Sequence, residues 1–282
     1  MTDITLNNGD IKLAASIHGS ASGEPVLFLH GLSMSRDTWN EIATRLGDRY
    51  QAWTLDFRGH GHSARASSYK IADYIADAQA ALAAIGRRTV VVGHSLGAVV
   101  AGALAQGPHP NVRAVLMEDP PWYFGERGEF ERSIYPALFS VVSSYQSRFQ
   151  SEGARLDTYV RFVSNAPSPM GGIASNHFGP RHLLSHASAL QRQDPACWAD
   201  LPNLVATLDT TLPFRCPAKV IQADPRMGAA LLEGHEVRMA TTNPQAEVVR
   251  YQDSGHIPHR TFAFAERFFG DVDLFITKAL DV

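Results

Sequence analysis

A single serine stands between two glycines in the segment Val90–Val100, which reads VVVGHSLGAVV. The β-branched residues before it indicate a strand buried on both faces, and the small residues after Gly97 indicate a helix. The chain must therefore turn sharply at about Ser95. Gly93 and Gly97 leave out the Cβ atoms that would collide in such a turn. This strand–turn–helix setting favours an exposed, nucleophilic hydroxyl over an ordinary serine N-cap.

A serine hydroxyl becomes a good nucleophile only when a base removes its proton, and we expect a histidine for this task. The chain has 12 histidines, and His256 is the best placed of them. It follows the last predicted strand, so it is expected at the same sheet edge as Ser95, and the Ser-Gly pair before it indicates a turn. His182 and His186 stand four apart, but no third ligand accompanies them, so we expect no metal site.

The elements that must position these residues alternate along the chain. Strands are predicted at Ile11–His18, Pro25–Leu29, Gln51–Leu55, Thr89–Val92, Val112–Glu118, Ala218–Ala223 and Glu247–Tyr251. Helices are predicted at Arg36–Leu46, Tyr69–Ile85, directly after Gly97, and at Phe262–Leu280. This order predicts an α/β fold with a mostly parallel central sheet and helices on both of its faces.

The segment 122–214 breaks the alternation, because it shows helical stripes and no convincing strand. Tyr135, Leu138 and Phe139, for example, share one helical face. We therefore predict a core formed by residues 1–121 and 215–282, with residues 122–214 inserted as a helical cap. A serine at the carboxyl edge of a sheet, with a helical insertion nearby, indicates a covered pocket.

Composition and charge narrow the class of protein. A length of 282 residues suits one large domain or one domain with an insertion, and a net charge of −3 does not favour nucleic acid as a partner. The beginning of the chain does not resemble a signal peptide, and no apolar run approaches the roughly 18 residues of a membrane span. We expect a soluble, cytoplasmic protein that acts on a small molecule without membrane insertion, and a homodimer is compatible with the sequence.

Four segments, in this order, resemble the α/β-hydrolase superfamily. They are HGLSMSRDTW at His30–Trp39, LDFRGHGHS at Leu55–Ser63, VGHSLGA at Val92–Ala98 and DSGHIPH at Asp253–His259. The resemblance covers most of 11–120 and 216–280, whereas the insertion is similar to the variable cap domain of that family. It implies the α/β-hydrolase fold, no metal or organic cofactor, and an oxyanion hole formed by the backbone N–H groups of Leu32 and Leu96.

The resemblance also implies an acidic partner for the histidine, and three residues are candidates. Many relatives carry this acid as Gly-x-x-Asp after the strand that precedes the histidine strand, but Ala223 and Arg226 occupy those positions here, and Asp224 comes two residues early. Other relatives carry it one strand earlier, just before the cap, where Asp119 stands. Glu118 would point to the opposite face if the strand continues. We rank Asp119 first, Asp224 second and Glu118 third.

This interpretation predicts a serine hydrolase that works through an acyl-enzyme. Ser95 would attack a carbonyl carbon, His256 would carry the proton, and Asp119 would orient the imidazole. Residues near the site that could form the pocket are His30, Trp122, Tyr123, Phe139 and Trp198, with Phe124, Tyr135, Phe162 and Met170 as further aromatic or apolar candidates. Such walls suit a medium-sized, apolar carboxylic ester or lactone.

Other activities of the same fold stay open. The same serine and histidine could cleave the carbon–carbon bond of a ring-cleavage product, or support a cofactor-free perhydrolase. The fold and triad also resemble small-molecule receptors in which turnover is slow. Rapid multiple turnover of short p-nitrophenyl esters would favour an enzyme, and a single slow burst would favour a receptor.

Overall fold

One eight-stranded sheet forms the centre of the molecule, in a computed structural model that describes residues 1–199, 201 and 204–281. The strands are β1 (Thr2–Asn8), β2 (Ile11–Gly19), β3 (Glu24–Leu29), β4 (Tyr50–Leu55), β5 (Thr89–His94), β6 (Val112–Glu118), β7 (Ala218–Gln222) and β8 (Glu247–Arg250). Their order is β1-β2-β4-β3-β5-β6-β7-β8. β2 pairs with β1 and β4 in antiparallel fashion, and the other pairs are parallel. The predicted mostly parallel α/β sheet is therefore confirmed.

Helices cover both faces of this sheet. They are α1 (Asn40–Leu46), α2 (Ile71–Ile85), α3 (Leu96–Gln106), α4 (Tyr135–Ser151), α5 (Leu156–Ser164), α6 (Pro180–Arg192), α7 (His235–Thr242) and α8 (Ala265–Leu280). The buried side chains of α2, α3 and α7 pack on one face, and those of α1 and α8 pack on the other. Among the described residues, no helix has the length and apolarity that crossing a membrane would require.

The central strands are apolar on both faces because each face carries its own core. In β3, Val26 and Phe28 pack into the cluster beneath α1 and α8, whereas Leu27 and Leu29 pack into the cluster beneath α2 and α3. This is the alternation of side chains that a pleated strand imposes. A strand with both faces covered must be apolar at every position, which is why these segments appear as unbroken hydrophobic runs.

Several element boundaries differ from the sequence-based expectations. β1 was missed, because it is an edge strand in which only Leu6 is buried, so its apolar alternation is too weak to stand out. The predicted helix Arg36–Leu46 is a 3-10 helix, Arg36–Trp39, followed by α1. The last helix begins at Ala265 rather than at Phe262, since residues 258–260 form a separate 3-10 turn.

The helices α4, α5 and α6 lie between β6 and β7 in the chain and share an apolar cluster of their own. Its buried members are Phe149, Tyr159, Val163, Leu183, Ala187 and Leu190. This cluster is separate from the two cores that flank the sheet. β6 and β7 are hydrogen-bonded neighbours in the sheet, although these helices separate them in the chain.

The turn between β5 and α3 depends on two glycines that pack against backbone. A Cβ atom at Gly93 would stand 2.2 Å from the carbonyl oxygen of Gly97. A Cβ atom at Gly97 would stand 2.2 Å from the carbonyl oxygen of Leu29. Real Cβ atoms do not approach backbone so closely, so this turn requires glycine at both positions.

We expect Gly97→Ala to destabilise the protein by about 3 kcal/mol or more, because the added methyl group must push two backbone segments apart. Gly270→Ala is the matched control. A Cβ atom at this position of α8 would meet nothing within 4 Å, so the substitution should stabilise the helix by about 0.5–1 kcal/mol. Urea unfolding of the two variants measures both effects, and equal stabilities would contradict the packing described for this turn.

Candidate active site

Ser95 occupies the tip of the turn between β5 and α3, where its side chain lines a cleft. Its backbone has φ 52° and ψ −115°, a conformation that side-chain-bearing residues rarely adopt. The Ser95 amide donates to the carbonyl oxygen of Glu118 at 2.9 Å, which ties the turn to the end of β6. The surrounding structure thus holds the hydroxyl at the tip of a strained turn.

The carboxylate of Asp119 lies directly after β6, is fully buried, and contacts His256. The distance from Asp119 Oδ2 to His256 Nδ1 is 2.6 Å. Three backbone amides, all in the segment that follows β7, also donate to this carboxylate: Ala230 at 2.7 Å, and Ala223 and Leu231 at 3.2 Å each. These bonds satisfy a buried charged group that would otherwise be costly to bury.

Asp224, the second candidate acid, is engaged elsewhere. Its oxygens accept hydrogen bonds from the guanidinium and amide of Arg226, from Gln252 Nε2 at 2.7 Å and from the Asp253 amide at 2.9 Å. The hydrogen bonds from Arg226 come first among the causes that hold the pKa of Asp224 well below its usual range. Asp224 therefore stabilises the turn that precedes His256, and its carboxylate makes no contact with the imidazole.

Glu118, the third candidate, faces His259. The His259 amide donates to Glu118 Oε1 at 2.8 Å, and His259 Nδ1 lies 2.7 Å from Glu118 Oε2. Both side chains are fully enclosed by protein. Of the three acids considered from the sequence, Asp119 is the one that the structure brings against His256.

The turn after β3 lies beside the nucleophile. A Cβ atom at Gly31 would stand 3.1 Å from the Cβ of Ser95, and the Gly97 amide donates to the His30 carbonyl oxygen at 3.1 Å. Leu32 and Leu96, whose amides were predicted to form an oxyanion hole, both line the cleft together with Ser95. Their side chains are apolar, so only their backbone groups could stabilise a negative charge there.

The ring of His30 contacts the backbone of this turn and does not line the cleft. Its ring is fully buried, its Nε2 accepts from the Phe57 amide at 3.1 Å, and its Nδ1 lies 2.8 Å from the Gly31 carbonyl oxygen. Burial lowers the pKa of His30 to about 4. The imidazole is therefore neutral near pH 7, with a proton on Nδ1 and an acceptor at Nε2.

The cleft beside Ser95 has a largely apolar lining. Besides the serine and the two leucines, its lining residues are Pro121, Phe124, Phe130, Tyr135, Phe139, Leu201, Leu204, Val205 and Ala230. No charged side chain is among the lining residues of the described chain. An apolar group fits this lining, whereas an ionised group would lose its hydration without gaining a partner.

Some of the predicted wall residues lie elsewhere. Trp122 and Tyr123 are buried in the core, where Trp122 packs edge-on against Phe214, and the Tyr123 ring lies 4.6 Å from that of His235. They follow the acid in sequence, but their side chains turn away from the cleft. Trp198 stands behind Phe139, with ring centroids 5.5 Å apart, and its indole N–H donates to Gln146.

Sequence reasoning did not single out several of the lining residues: Pro121, Phe130, Leu201, Leu204, Val205 and Ala230. The apolar spacing of Leu201, Leu204 and Val205 is a helical signal that could have marked them as one face. No pattern in the sequence marked Ala230, because the irregular segment after β7 places it at the cleft. Its amide donates to Asp119, so this alanine contributes to the site through its backbone.

Residues with strained backbone conformations are concentrated at this site. In the described part of the chain, the non-glycine residues with positive φ are Ser33, Ser95, Asp119 and Asp253, at 62°, 52°, 44° and 63°. One lies in each of the turns that carry the expected oxyanion donor, the serine, the acid and the histidine. Backbone strain concentrated in this way is typical of functional sites, where the surrounding structure holds residues in positions they would not otherwise adopt.

Comparison with known proteins places the chain in a family. The model of the alpha/beta hydrolase family matches residues 26–268. The chain belongs to this family. A provisionally named carbamate hydrolase, RutD, from Escherichia coli is 29% identical over 254 residues, covering 87% of this chain and 86% of that protein. The predicted α/β-hydrolase fold and the expectation of a hydrolase are thereby confirmed.

Solved structures share the fold over the whole chain. One is a provisionally named aryl esterase from Burkholderia cenocepacia, with a TM-score of 0.74, 22% identity and coverage of 100% of both chains. Another is an N-formylmaleamic acid deformylase from Pseudomonas putida, with a TM-score of 0.75, 16% identity, and coverage of 95% of this chain and 99% of that one. These likenesses extend through the segment that carries α4, α5 and α6.

A test independent of activity can establish which carboxylate holds His256. We expect Asp119→Asn to abolish the strongly downfield proton NMR signal of an imidazole N–H bonded to a carboxylate. The same variant should lose about 1–3 kcal/mol of stability, because an amide group cannot accept all the backbone donors that surround Asp119. Asp224→Asn should keep the downfield signal. Loss of the signal in Asp224→Asn alone would overturn this assignment.

Proposed function

We propose that this member of the alpha/beta hydrolase family is a serine hydrolase whose catalytic triad is Ser95, His256 and Asp119. The observation that carries the proposal is the 2.6 Å contact between Asp119 Oδ2 and His256 Nδ1. The His256 ring packs edge-on against Tyr135, which lines the same cleft as Ser95. The carboxylate orients the ring, so that Nε2 is the nitrogen free to accept the serine proton.

In the proposed reaction, Ser95 Oγ attacks the carbonyl carbon while His256 Nε2 takes the hydroxyl proton. The negative charge on the carbonyl oxygen is stabilised by the backbone N–H groups of Leu32 and Leu96. His256 then gives its proton to the leaving group, which departs and leaves an acyl-serine. A water molecule, deprotonated by His256, attacks the acyl carbon, and the serine leaves as the acid is released. The Asp119 carboxylate stabilises the imidazolium in both steps.

The substrate class follows from the cleft lining. Apolar side chains surround Ser95, which favours a neutral, medium-sized acyl group over an ionised one. The relatives are described as acting on a carbamate, an aryl ester and an N-formylmaleamic acid. A small ionised carbamate or a dicarboxylic acid would find no charged partner on the described cleft wall. We therefore infer a carboxylic ester or a lactone as the substrate.

The segment 122–214 serves, in this proposal, as the cap that covers the site. It contributes Phe124, Phe130, Tyr135 and Phe139 to the cleft, and its helices have an apolar cluster of their own. The core is then formed by 1–121 and 215–282, as the sequence predicts. A cytoplasmic location and a homodimer stay predictions of the sequence.

Ser95→Ala and His256→Ala should each lower kcat for p-nitrophenyl butyrate by about 10⁴- to 10⁶-fold, because the two residues act as one unit. For the same reason, the double variant should be little worse than either single one. Ser151→Ala, at an exposed serine at the end of α4, is the control and should retain full activity. Activity retained by clean, folded Ser95→Ala protein would rule out a serine nucleophile. A single slow burst from the unaltered protein would instead support the receptor hypothesis.

The cleft should discriminate strongly against charge in the acyl group. We expect kcat/KM for p-nitrophenyl butyrate to exceed that for the mono-p-nitrophenyl ester of succinic acid by about 100-fold or more. Burying an unpaired carboxylate against phenyl rings costs at least ~2.7 kcal/mol, which corresponds to this ratio. Steady-state kinetics at pH 7 on both esters measures it. Equal values would show that the substrate does not occupy this apolar cleft.

A further inference from the structure

Glu118 lies at the point where two turns of the site meet. It is the last residue of β6 and directly precedes Asp119. Its carbonyl oxygen accepts from the Ser95 amide at 2.9 Å, and its carboxyl Oε1 accepts from the His259 amide at 2.8 Å. One residue therefore binds the serine turn through its backbone and the histidine turn through its side chain.

His259 extends this connection to a third turn. Its Nε2 lies 2.8 Å from Thr38 Oγ1, and its ring stacks on Trp39 with centroids 4.3 Å apart and planes 19° from parallel. Thr38 and Trp39 belong to the 3-10 helix that follows the turn containing Leu32. His259 itself stands three residues after His256, so its ring anchors the turn that carries the proposed base.

Two groups of this cluster have strongly shifted pKa values because they are buried. Burial raises the pKa of Glu118 well above its usual value, and burial lowers the pKa of His259 well below its own. His259 Nε2 lies within hydrogen-bond distance of Thr38 Oγ1, at 2.8 Å. The 2.7 Å contact between Glu118 Oε2 and His259 Nδ1 lacks hydrogen-bond geometry, and neither atom has a hydrogen-bond partner in the described chain.

The neighbouring carboxylate of Asp119 acts on Glu118 in the same direction as burial does. Glu118 and Asp119 are consecutive and fully buried, and two neighbouring carboxylates resist being ionised together. The negative charge of Asp119 is accordingly a further cause that raises the pKa of Glu118. The Thr38 hydroxyl completes the arrangement by donating to Met34 Sδ at 3.8 Å.

We propose that Glu118, His259 and Thr38 form a buried positioning network. It holds three turns in fixed positions relative to one another: those that contain Ser95, His256 and Leu32. None of the three touches the substrate cleft, so they act through Ser95, His256 and Leu32. The inference rests on the proposed function, because it assigns these residues to the support of that triad. A displacement of about 1 Å in such a site can lower the rate by about 100-fold.

The test compares variants that keep the hydrogen bonds with variants that remove them. Glu118→Gln keeps an acceptor for the His259 amide, so its kcat should stay within about threefold of the unaltered protein. Glu118→Leu and Thr38→Val remove these groups, and their kcat for p-nitrophenyl butyrate should fall by about 10- to 100-fold with little change in KM. Thr38→Ser should restore the activity lost in Thr38→Val.

Thr89→Val is the matched control for Thr38→Val. Thr89 is equally buried and also makes a side-chain hydrogen bond, donating to the Arg87 carbonyl oxygen at 2.8 Å, but it lies at the opposite end of β5 from Ser95. Rates are expressed per active site titrated with an organophosphonate. A merely structural role for Thr38 would give both variants a lower melting temperature and an unchanged kcat per site, and this result would overturn the inference.

The outcomes separate this inference from the proposed function. Inactive Ser95→Ala and His256→Ala, together with unaltered kcat in Thr38→Val and Glu118→Leu, would refute the network alone. Activity in the first two variants would refute the triad and the network with it. If Glu118→Leu does not fold, the comparison of Thr38→Val with Thr38→Ser and Thr89→Val decides the matter.

Discussion

The site depends on how one buried carboxylate is held. Asp119 directly follows β6, yet its hydrogen-bond donors come from the segment after β7, through the amides of Ala223, Ala230 and Leu231, and from the ring of His256. A charged group can remain buried only while these partners stay in place. The parallel pairing of β6, β7 and β8 brings these partners and Asp119 together. The burial of the Asp119 carboxylate therefore depends on the order of the strands in the sheet.

Around this carboxylate, turns with strained backbone follow strands that are packed on both faces. The strands β3, β5 and β6 are enclosed on both faces, and the strained residues Ser33, Ser95 and Asp119 lie beyond their carboxyl ends, while Asp253 lies beyond β8. The cost of a residue such as Ser95 at φ 52° is of order 1–3 kcal/mol, which a large core can offset. The turns are also tied to one another, by the bond from Ser95 to Glu118 and by the ring of His259 stacked on Trp39.

The sequence allowed the sheet and the expected nucleophile to be predicted, because both leave local signals. Buried parallel strands are continuous apolar runs, and the Ser95 turn needs glycine at fixed spacing. The pairing of Asp119 with His256 could be ranked first but not established, since it joins residues far apart in the chain. The cleft was the hardest part: Trp122 and Tyr123 follow the acid but point into the core, whereas Ala230 enters the site by its backbone. Side-chain direction in irregular segments leaves no periodic pattern in a sequence.

The position of the helical insertion has a consequence for how such a protein can diversify. The chain leaves the sheet after β6 and returns in β7, and these two strands pair with each other directly. The entropy of closing a loop grows only logarithmically with its length, so that doubling the intervening segment costs about 0.6 kcal/mol. Loop-closure entropy therefore sets little limit on the length of this segment, whereas Trp122, Tyr135 and Val205 pack into the core beside the sheet and must keep their contacts. The same segment supplies aromatic rings to the cleft, so under the proposed function substrate preference can evolve separately from the proposed triad.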